Sequence, residues 1–117
     1  MKLSEAINRA KALTGQTKGN AIMVRWLNEM DGQLAATFYH EDFTPYSTAD
    51  LTQDLLVPWP WDEAYIHYLE AMIYFSNGET ERYEDARTMS EQTLREYKAY
   101  MQRTQARRCR PGFDRGD

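Results

Sequence analysis

Apolar residues recur every three or four positions along four stretches of this chain. Because that spacing places side chains on one face of an α-helix, it predicts four amphipathic helices around a shared core. The predicted ranges are residues 4–14, 21–39, 61–76 and 80–106. The chain is therefore expected to be an all-α domain of four helices.

The connection between the third and fourth predicted helices is very short. Asn77 and Gly78 form a common helix stop, and the next helix is expected to begin within three residues. A link of this length predicts an antiparallel helix hairpin. Residues 40–60, in contrast, show no regular period and predict a long irregular loop between the second and third helices.

That loop ends in a run of Leu, Val, Trp and Pro that leads into the third helix. Pro58 and Pro60 fix φ and remove two backbone donors, which excludes a helix interior or a central strand. A loop this long in a compact domain is usually functional or held by a partner. Four of its side chains are predicted to contact a neighbouring protein: Leu55, Leu56, Val57 and Trp59. Trp61 is in phase with the third helix and is predicted to lie in the core.

The fourth predicted helix is long and polar, and its apolar seam is weak. Acidic residues in its first turns and arginines near its end both suit the helix dipole. Residues 98–106 are expected to extend past the core, where only a second subunit would cover Tyr100 and Met101. The predicted contacts of this helix with a neighbour are Tyr97, Tyr100, Met101 and Arg103.

Length and composition are those of one soluble domain: 117 residues, 42% hydrophobic and 27% charged. The net charge of −4 is unevenly distributed, since residues 103–117 carry five arginines and two aspartates, which leaves −7 for the rest. Residues 1–108 are predicted to form the single helical domain, and residues 109–117 a flexible basic tail. The acidic body argues against general nucleic-acid binding, whereas the tail can contact phosphate or an acidic partner.

The sequence shows no signal for a membrane or for secretion. No apolar run approaches the roughly 20 residues of a membrane span, and no apolar stretch follows the first residues as it would in a secretory signal. Cys109 is the single cysteine and allows no internal disulfide. This composition fits a reducing cytoplasm.

Four groups of residues have the side chains used in catalysis or metal binding. They are His40-Glu41-Asp42, His67 with Glu70, Asp62-Glu63, and Cys109. The first three are interpreted as a solvated turn, a surface pair and a helix-start pair favoured by the dipole, because none has the ligand number or accompanying nucleophile of a site. Cys109 has no partner histidine. The chain is therefore expected not to be an enzyme, and no metal or cofactor is expected.

Several stretches of the chain resemble a known family. They are Arg25-Trp26-Leu27-Asn28-Glu29-Met30-Asp31-Gly32, residues 54–65, Tyr68-Leu69-Glu70-Ala71-Met72-Ile73, Asn77-Gly78-Glu79 and Tyr83. In these stretches and in element order, residues 4–100 resemble the small head–tail connector (adaptor, or head-completion) proteins of tailed phages and prophages of Gram-positive bacteria. Trp59 and Trp61 depart from the family's usual pattern, which is less aromatic around the two prolines.

The resemblance implies a mostly helical structural protein, found in the virion or the host cytoplasm. Such a subunit assembles as a homo-oligomeric ring beneath the portal and contacts portal or tail-completion proteins, with no membrane involved. DNA would pass through the channel without specific binding. An acidic wall favours such passage, because only positive surfaces gain affinity from counterion release.

Two other functions remain open from the sequence. One is a helical-hairpin protein-interaction adaptor of the tetratricopeptide kind, of which only one repeat unit is visible. Its loose pattern consists of Ala71, Tyr74, Gly78 and Ala86. The other is a small nucleic-acid-associated regulator that uses the arginine-rich end. Its predicted contacts with phosphate or a partner are Arg107, Arg108 and Arg110.

Overall fold

The structure is a computed structural model that describes residues 1–15 and 19–108, with side chains as far as Thr104. Four α-helices make up most of these residues. The helices are α1 (Leu3–Thr14), α2 (Asn20–Leu34), α3 (Glu63–Ser76) and α4 (Thr80–Arg108). The described ranges contain no strand. The prediction of an all-α fold with four helices is confirmed.

The second predicted helix is not α-helical throughout. Its last five residues, Ala35–Tyr39, form a π-helical turn. His40 follows in the left-handed region with φ of 56°, and the Glu41 N–H donates to the Ala35 carbonyl at 2.9 Å. This geometry ends the helix and turns the chain away from it.

The core is centred on α3, against which α1, α2 and α4 all lie. Its buried residues on α3 are Ala64, Tyr65, Ile66, Leu69, Ala71 and Ile73. Leu3 and Ile7 of α1, and Met23 and Leu27 of α2, are equally buried and complete the apolar centre. Burial of such side chains supplies most of the favourable free energy of folding.

Helix α4 lies along α3 but buries little of its own surface. Within its described side chains, only Ala86, Ser90 and Tyr97 are buried. The Ser90 hydroxyl donates to the Ala64 carbonyl at 3.0 Å, so this buried polar group is satisfied. The weak seam that the sequence indicates therefore corresponds to a helix that is mostly exposed.

Residues 40–62, here named the strap, connect the π turn to α3 without any helix or strand of their own. The strap crosses the start of α1, where Lys2 and Asp54 form an isolated antiparallel bridge. The Leu3 N–H donates to the Gln53 carbonyl at 3.0 Å, and the Leu55 N–H donates to the Met1 carbonyl at 2.9 Å. These bonds satisfy backbone groups that an irregular segment would otherwise leave unpaired. None of the described helices combines the length and apolar character needed to cross a membrane.

Candidate interaction surface

A buried carboxylate on α2 holds the strap against the helices. Asp31 is 0% exposed, yet it accepts three hydrogen bonds. The Tyr46 hydroxyl donates to its Oδ2 at 2.5 Å, and the Leu56 N–H donates to the same oxygen at 3.2 Å. The Tyr65 hydroxyl donates to Oδ1 at 2.7 Å and accepts the Val57 N–H at 2.7 Å. The strap is thus fixed at Tyr46 and again at Leu56 and Val57, just before its two prolines.

Burial around Asp31 shifts the pKa of its carboxyl and of the hydroxyls of Tyr46 and Tyr65. Burial raises the pKa of the Asp31 carboxyl, and the hydrogen bonds from Tyr46 and Tyr65 oppose that rise. Burial also raises the pKa of both tyrosine hydroxyls, which therefore remain protonated donors at neutral pH. Asp31 therefore holds the strap and the helices together through its hydrogen bonds, because a buried polar group without hydrogen-bond partners costs free energy.

The strap presents its apolar residues alternately inward and outward. Leu55 and Val57 are 7% and 0% exposed and belong to the protein's own core, whereas Leu56 is 37% exposed. Leu56 and Val57 lie at a bend of the chain, where their N–H groups donate to Asp31 and Tyr65. Leu55 and Val57 therefore do not lie on the surface that a partner would meet. Trp59, at 81% exposed, does lie there, and its contact with a partner stays a prediction.

The aromatic residues of α4 lie against the end of the strap. Tyr97 is buried at 2% exposed and shares a short hydrogen bond with the Tyr39 hydroxyl. The centre of the Trp61 ring lies 5.4 Å from the centre of the Tyr97 ring and 4.6 Å from that of the Tyr100 ring. Met101 also lies against the core. The expectation that only a second subunit would cover Tyr100 and Met101 is therefore corrected, because Trp61 and the core of the same chain cover part of both.

The predicted basic contacts lie at the end of α4. Arg103 is exposed, and Arg107 and Arg108 belong to α4, with side chains beyond the described ones. Arg110 and Cys109, like the rest of the predicted tail, lie outside the described residues. The arginine contacts thus stay predictions.

A groove that the sequence did not reveal runs between α2 and α4, across α3. Its volume is about 260 Å³. Its apolar lining includes Met30, Leu34, Tyr68, Met72 and Leu94. Burial raises the pKa of Tyr68 to about 12, so this part of the groove carries no charge at neutral pH. The groove exists because α2 and α4 each rest on α3 with a space between them, which the period of any one helix does not show.

The rim of the groove on α4 is charged. Arg87 is paired with Glu91 at 2.9 Å, and the Lys98 Nζ lies 6.0 Å from the centre of the Phe38 ring. Arg95 lies beside Lys98 on the same part of the helix. The groove therefore combines an apolar floor with a mainly basic edge.

Charge is strongly segregated along this chain. Residues 26–81 contain eleven Asp and Glu and no Lys or Arg, whereas residues 86–108 contain six Lys and Arg and two Glu. The first range includes the strap, where Glu41, Asp42 and Asp50 are exposed and form no ion pair with any described residue. The strap thus carries mainly acidic charge, and the part of α4 from Ala86 onward carries mainly basic charge.

The residues considered for catalysis or metal binding lie in ordinary structural contacts. His67 Nδ1 is 3.0 Å from Glu70 Oε1 within one turn of α3. Glu63 forms an ion pair with Arg9 of α1 at 2.8 Å, and Asp62 is buried without making a capping hydrogen bond at the start of α3. Across residues 1–15 and 19–108, no three His, Cys, Asp or Glu side chains are grouped to hold a metal ion.

Comparison of the chain with family models, with curated proteins and with solved structures found no match.

Proposed function

We propose that this protein is a structural subunit of the head–tail connector of a tailed phage or prophage, and that it forms a ring beneath the portal through which DNA passes. The observation that carries the proposal is Trp59, which is 81% exposed although Val57, two residues earlier, is completely buried. A large aromatic side chain held in water on an anchored segment is characteristic of a contact site.

Rigidity of the strap supports this interpretation. Pro58 and Pro60 flank Trp59, and the backbone on the N-terminal side is tied to Tyr65 and Asp31. A segment that is already ordered loses less conformational entropy on binding. The strap is therefore suited to insert the Trp59 indole into a neighbouring surface.

The proposed architecture includes an antiparallel hairpin of α3 and α4 and a long irregular loop before it. Ring contacts support the hairpin, since Phe75 lies 5.2 Å from Tyr83 and Trp61 lies 4.6 Å from Tyr100. Helix α4 has 29 residues and α3 has 14, so α4 is longer by about 22 Å at 1.5 Å per residue. The end of α4, with Arg103 exposed, is a second surface for the portal or a tail-completion protein.

The sequence resemblance of residues 4–100 to connector proteins also supports the proposal. The acidic range 26–81 suits a channel wall, because DNA gains little affinity from a surface that releases no counterions. Such a subunit would act through shape and buried interface, in the virion or the host cytoplasm.

The test is light scattering combined with negative-stain imaging, performed on the protein alone and with the portal protein of the same phage or prophage. The expected result is a ring or a stable portal complex for the wild type and for Phe75→Ser, and loss of both for Trp59→Ser. Phe75 is a matched control because it is also exposed, at 64%, but lies at the other end of α3. A monomer that binds neither itself nor the portal would contradict the proposal.

A further inference from the structure

The groove between α2 and α4 is lined by side chains of α2, α3 and α4 that all lie within the described part of the chain. Its floor is formed by Tyr68 and Met72 of α3, and Leu94 of α4 forms part of one wall. Ligand sites are typically concave and mostly apolar, with a few charged groups at the edge. The groove has this form, with Arg87 and Lys98 at its edge.

The same molecule carries a side chain of matching chemistry. Trp59 is the most exposed large hydrophobic residue in the described structure. Its indole would meet the Met72 thioether and the Leu94 side chain, which suit an aromatic ring. A cation at the rim adds attraction to the face of an indole, and Trp is the aromatic that binds cations best. Lys98 already lies near one aromatic ring, that of Phe38.

The charges of the strap and of the groove edge favour a second copy of this chain as the molecule that fills the groove. The strap that carries Trp59 has exposed carboxylates at Glu41, Asp42 and Asp50. The α4 side of the groove carries Lys98 and Arg87, the latter paired with Glu91, and Arg95 lies beside Lys98. Three of these four α4 groups are basic. A strap from a second copy would therefore meet opposite charges at the groove. Two straps facing each other would bring like charges together, which disfavours a symmetric strap-to-strap contact.

We propose that Trp59 of one copy inserts into the groove between α2 and α4 of the next copy, with the acidic strap lying along the basic side of α4. The two surfaces differ, so the contact is head-to-tail, and repeated contacts of this kind generate a closed ring or an open filament. The inference rests on the proposed function, for which it names the two surfaces that join neighbouring subunits.

The test uses two full-length variants, each defective in one surface. Trp59→Ser keeps the groove, and the double variant Arg87→Glu/Lys98→Glu keeps the strap. Trp59 and Arg87 are exposed and Lys98 is partly exposed, so the variants are expected to keep the fold. The matched control Arg25→Glu/Arg82→Glu makes the same change of charge away from the groove.

Sedimentation velocity over a range of concentrations gives the result. The wild type and the control pair are expected to self-associate, and each defective variant is expected to sediment as a monomer. A mixture of the two defective variants is expected to form a 1:1 dimer that grows no further, because it has one complete contact. A mixture that stays monomeric, a wild type that never associates, or a Trp59→Ser variant that associates normally would overturn the inference.

A second measurement reports on Trp59 itself. The chain has three tryptophans, so incorporation of 5-fluorotryptophan gives three ¹⁹F resonances, and Trp59→Phe assigns one of them. That resonance is expected to shift with concentration in the wild type, while those of Trp26 and Trp61 stay nearly constant. An unchanged Trp59 resonance in an associating sample would place the contact elsewhere.

The outcomes separate this inference from the proposed function. Rings or portal complexes that persist in Trp59→Ser would overturn the groove contact and leave a connector that assembles through other surfaces. A mixed dimer formed by a protein that gives neither rings nor portal complexes would support the groove contact and remove the connector function.

Discussion

The Tyr65 hydroxyl of α3 donates to the Asp31 carboxylate of α2 at 2.7 Å, completely inside the protein. The same hydroxyl accepts the N–H of Val57, so one side chain links two helices and the strap. The position of the strap at Leu56 therefore depends on a carboxylate 25 residues away in sequence.

Replacing Asp31 by Asn should destabilise the protein strongly. With the amide nitrogen in place of Oδ2, the Leu56 N–H loses its acceptor and the Tyr46 hydroxyl can no longer donate to that atom. We expect a loss of about 2–4 kcal/mol in the free energy of unfolding. Urea unfolding followed by circular dichroism measures it. Asp42→Asn, on the exposed strap, is the control and should change stability by less than about 0.5 kcal/mol. Equal losses of stability in Asp31→Asn and Asp42→Asn would show that Asp31 does not hold the strap in place.

The stability of the wild type and that of Asp31→Asn should depend differently on pH. Burial raises the pKa of Asp31 above its unfolded value, so the native state binds more protons than the unfolded state between those two pKa values. The stability from this carboxyl is then fully present below the unfolded pKa and is lost as pH rises through the folded pKa. The advantage of wild type over Asp31→Asn should therefore shrink as pH rises. Urea unfolding of both proteins, from about pH 4 to about pH 8, tests this, and an advantage that grows with pH would contradict it.

Truncation of two neighbouring strap residues should lower stability by different amounts. Val57 is completely buried, so Val57→Ala removes two methyl groups from a packed core and should cost about 2 kcal/mol. Leu56 is 37% exposed, and Leu56→Ala should cost clearly less. Thermal or urea unfolding of the two variants gives the comparison. A larger cost at Leu56 would mean that the strap lies in the opposite register.

The helices were predictable from the sequence because each depends on a local period. Three- and four-residue spacing and the Asn77-Gly78 stop were enough to place all four to within a few residues. The main differences were the π-helical turn at Ala35–Tyr39, where an α-helix was predicted, and the later start of α3. The Trp61 N–H donates to the Pro58 carbonyl at 3.0 Å, and this turn delays the helix to Glu63.

The strap was recognised as unusual, but its orientation was not predictable. Which of Leu55, Leu56 and Val57 faces inward depends on register, and that register is set by hydrogen bonds to Asp31 and Tyr65 on other elements. A signal did exist, since Asp31 lies four positions after Leu27 and three before Leu34 on the buried stripe of α2. A polar residue in a buried phase requires partners, and the tyrosines of the strap and α3 supply them.

The groove could not be predicted from sequence patterns, for a different reason. It is a space between α2 and α4, and its width depends on how each helix rests on α3. The charges around it were visible, because no Lys or Arg occurs in residues 26–81. Only the fold shows that Arg87 and Lys98 lie at the edge of this space.

Amide hydrogen exchange at Leu56 and Val57 tests most directly the claim that Asp31 and Tyr65 fix the strap so that Trp59 is displayed. In the wild type, both amides should exchange only through large-scale unfolding, because both are bonded to buried oxygens. In Asp31→Asn, the Leu56 amide should lose most of its protection while amides in the middle of α3 keep theirs. Rapid exchange of Leu56 and Val57 in the wild type, at the rate of an unstructured peptide, would contradict the account.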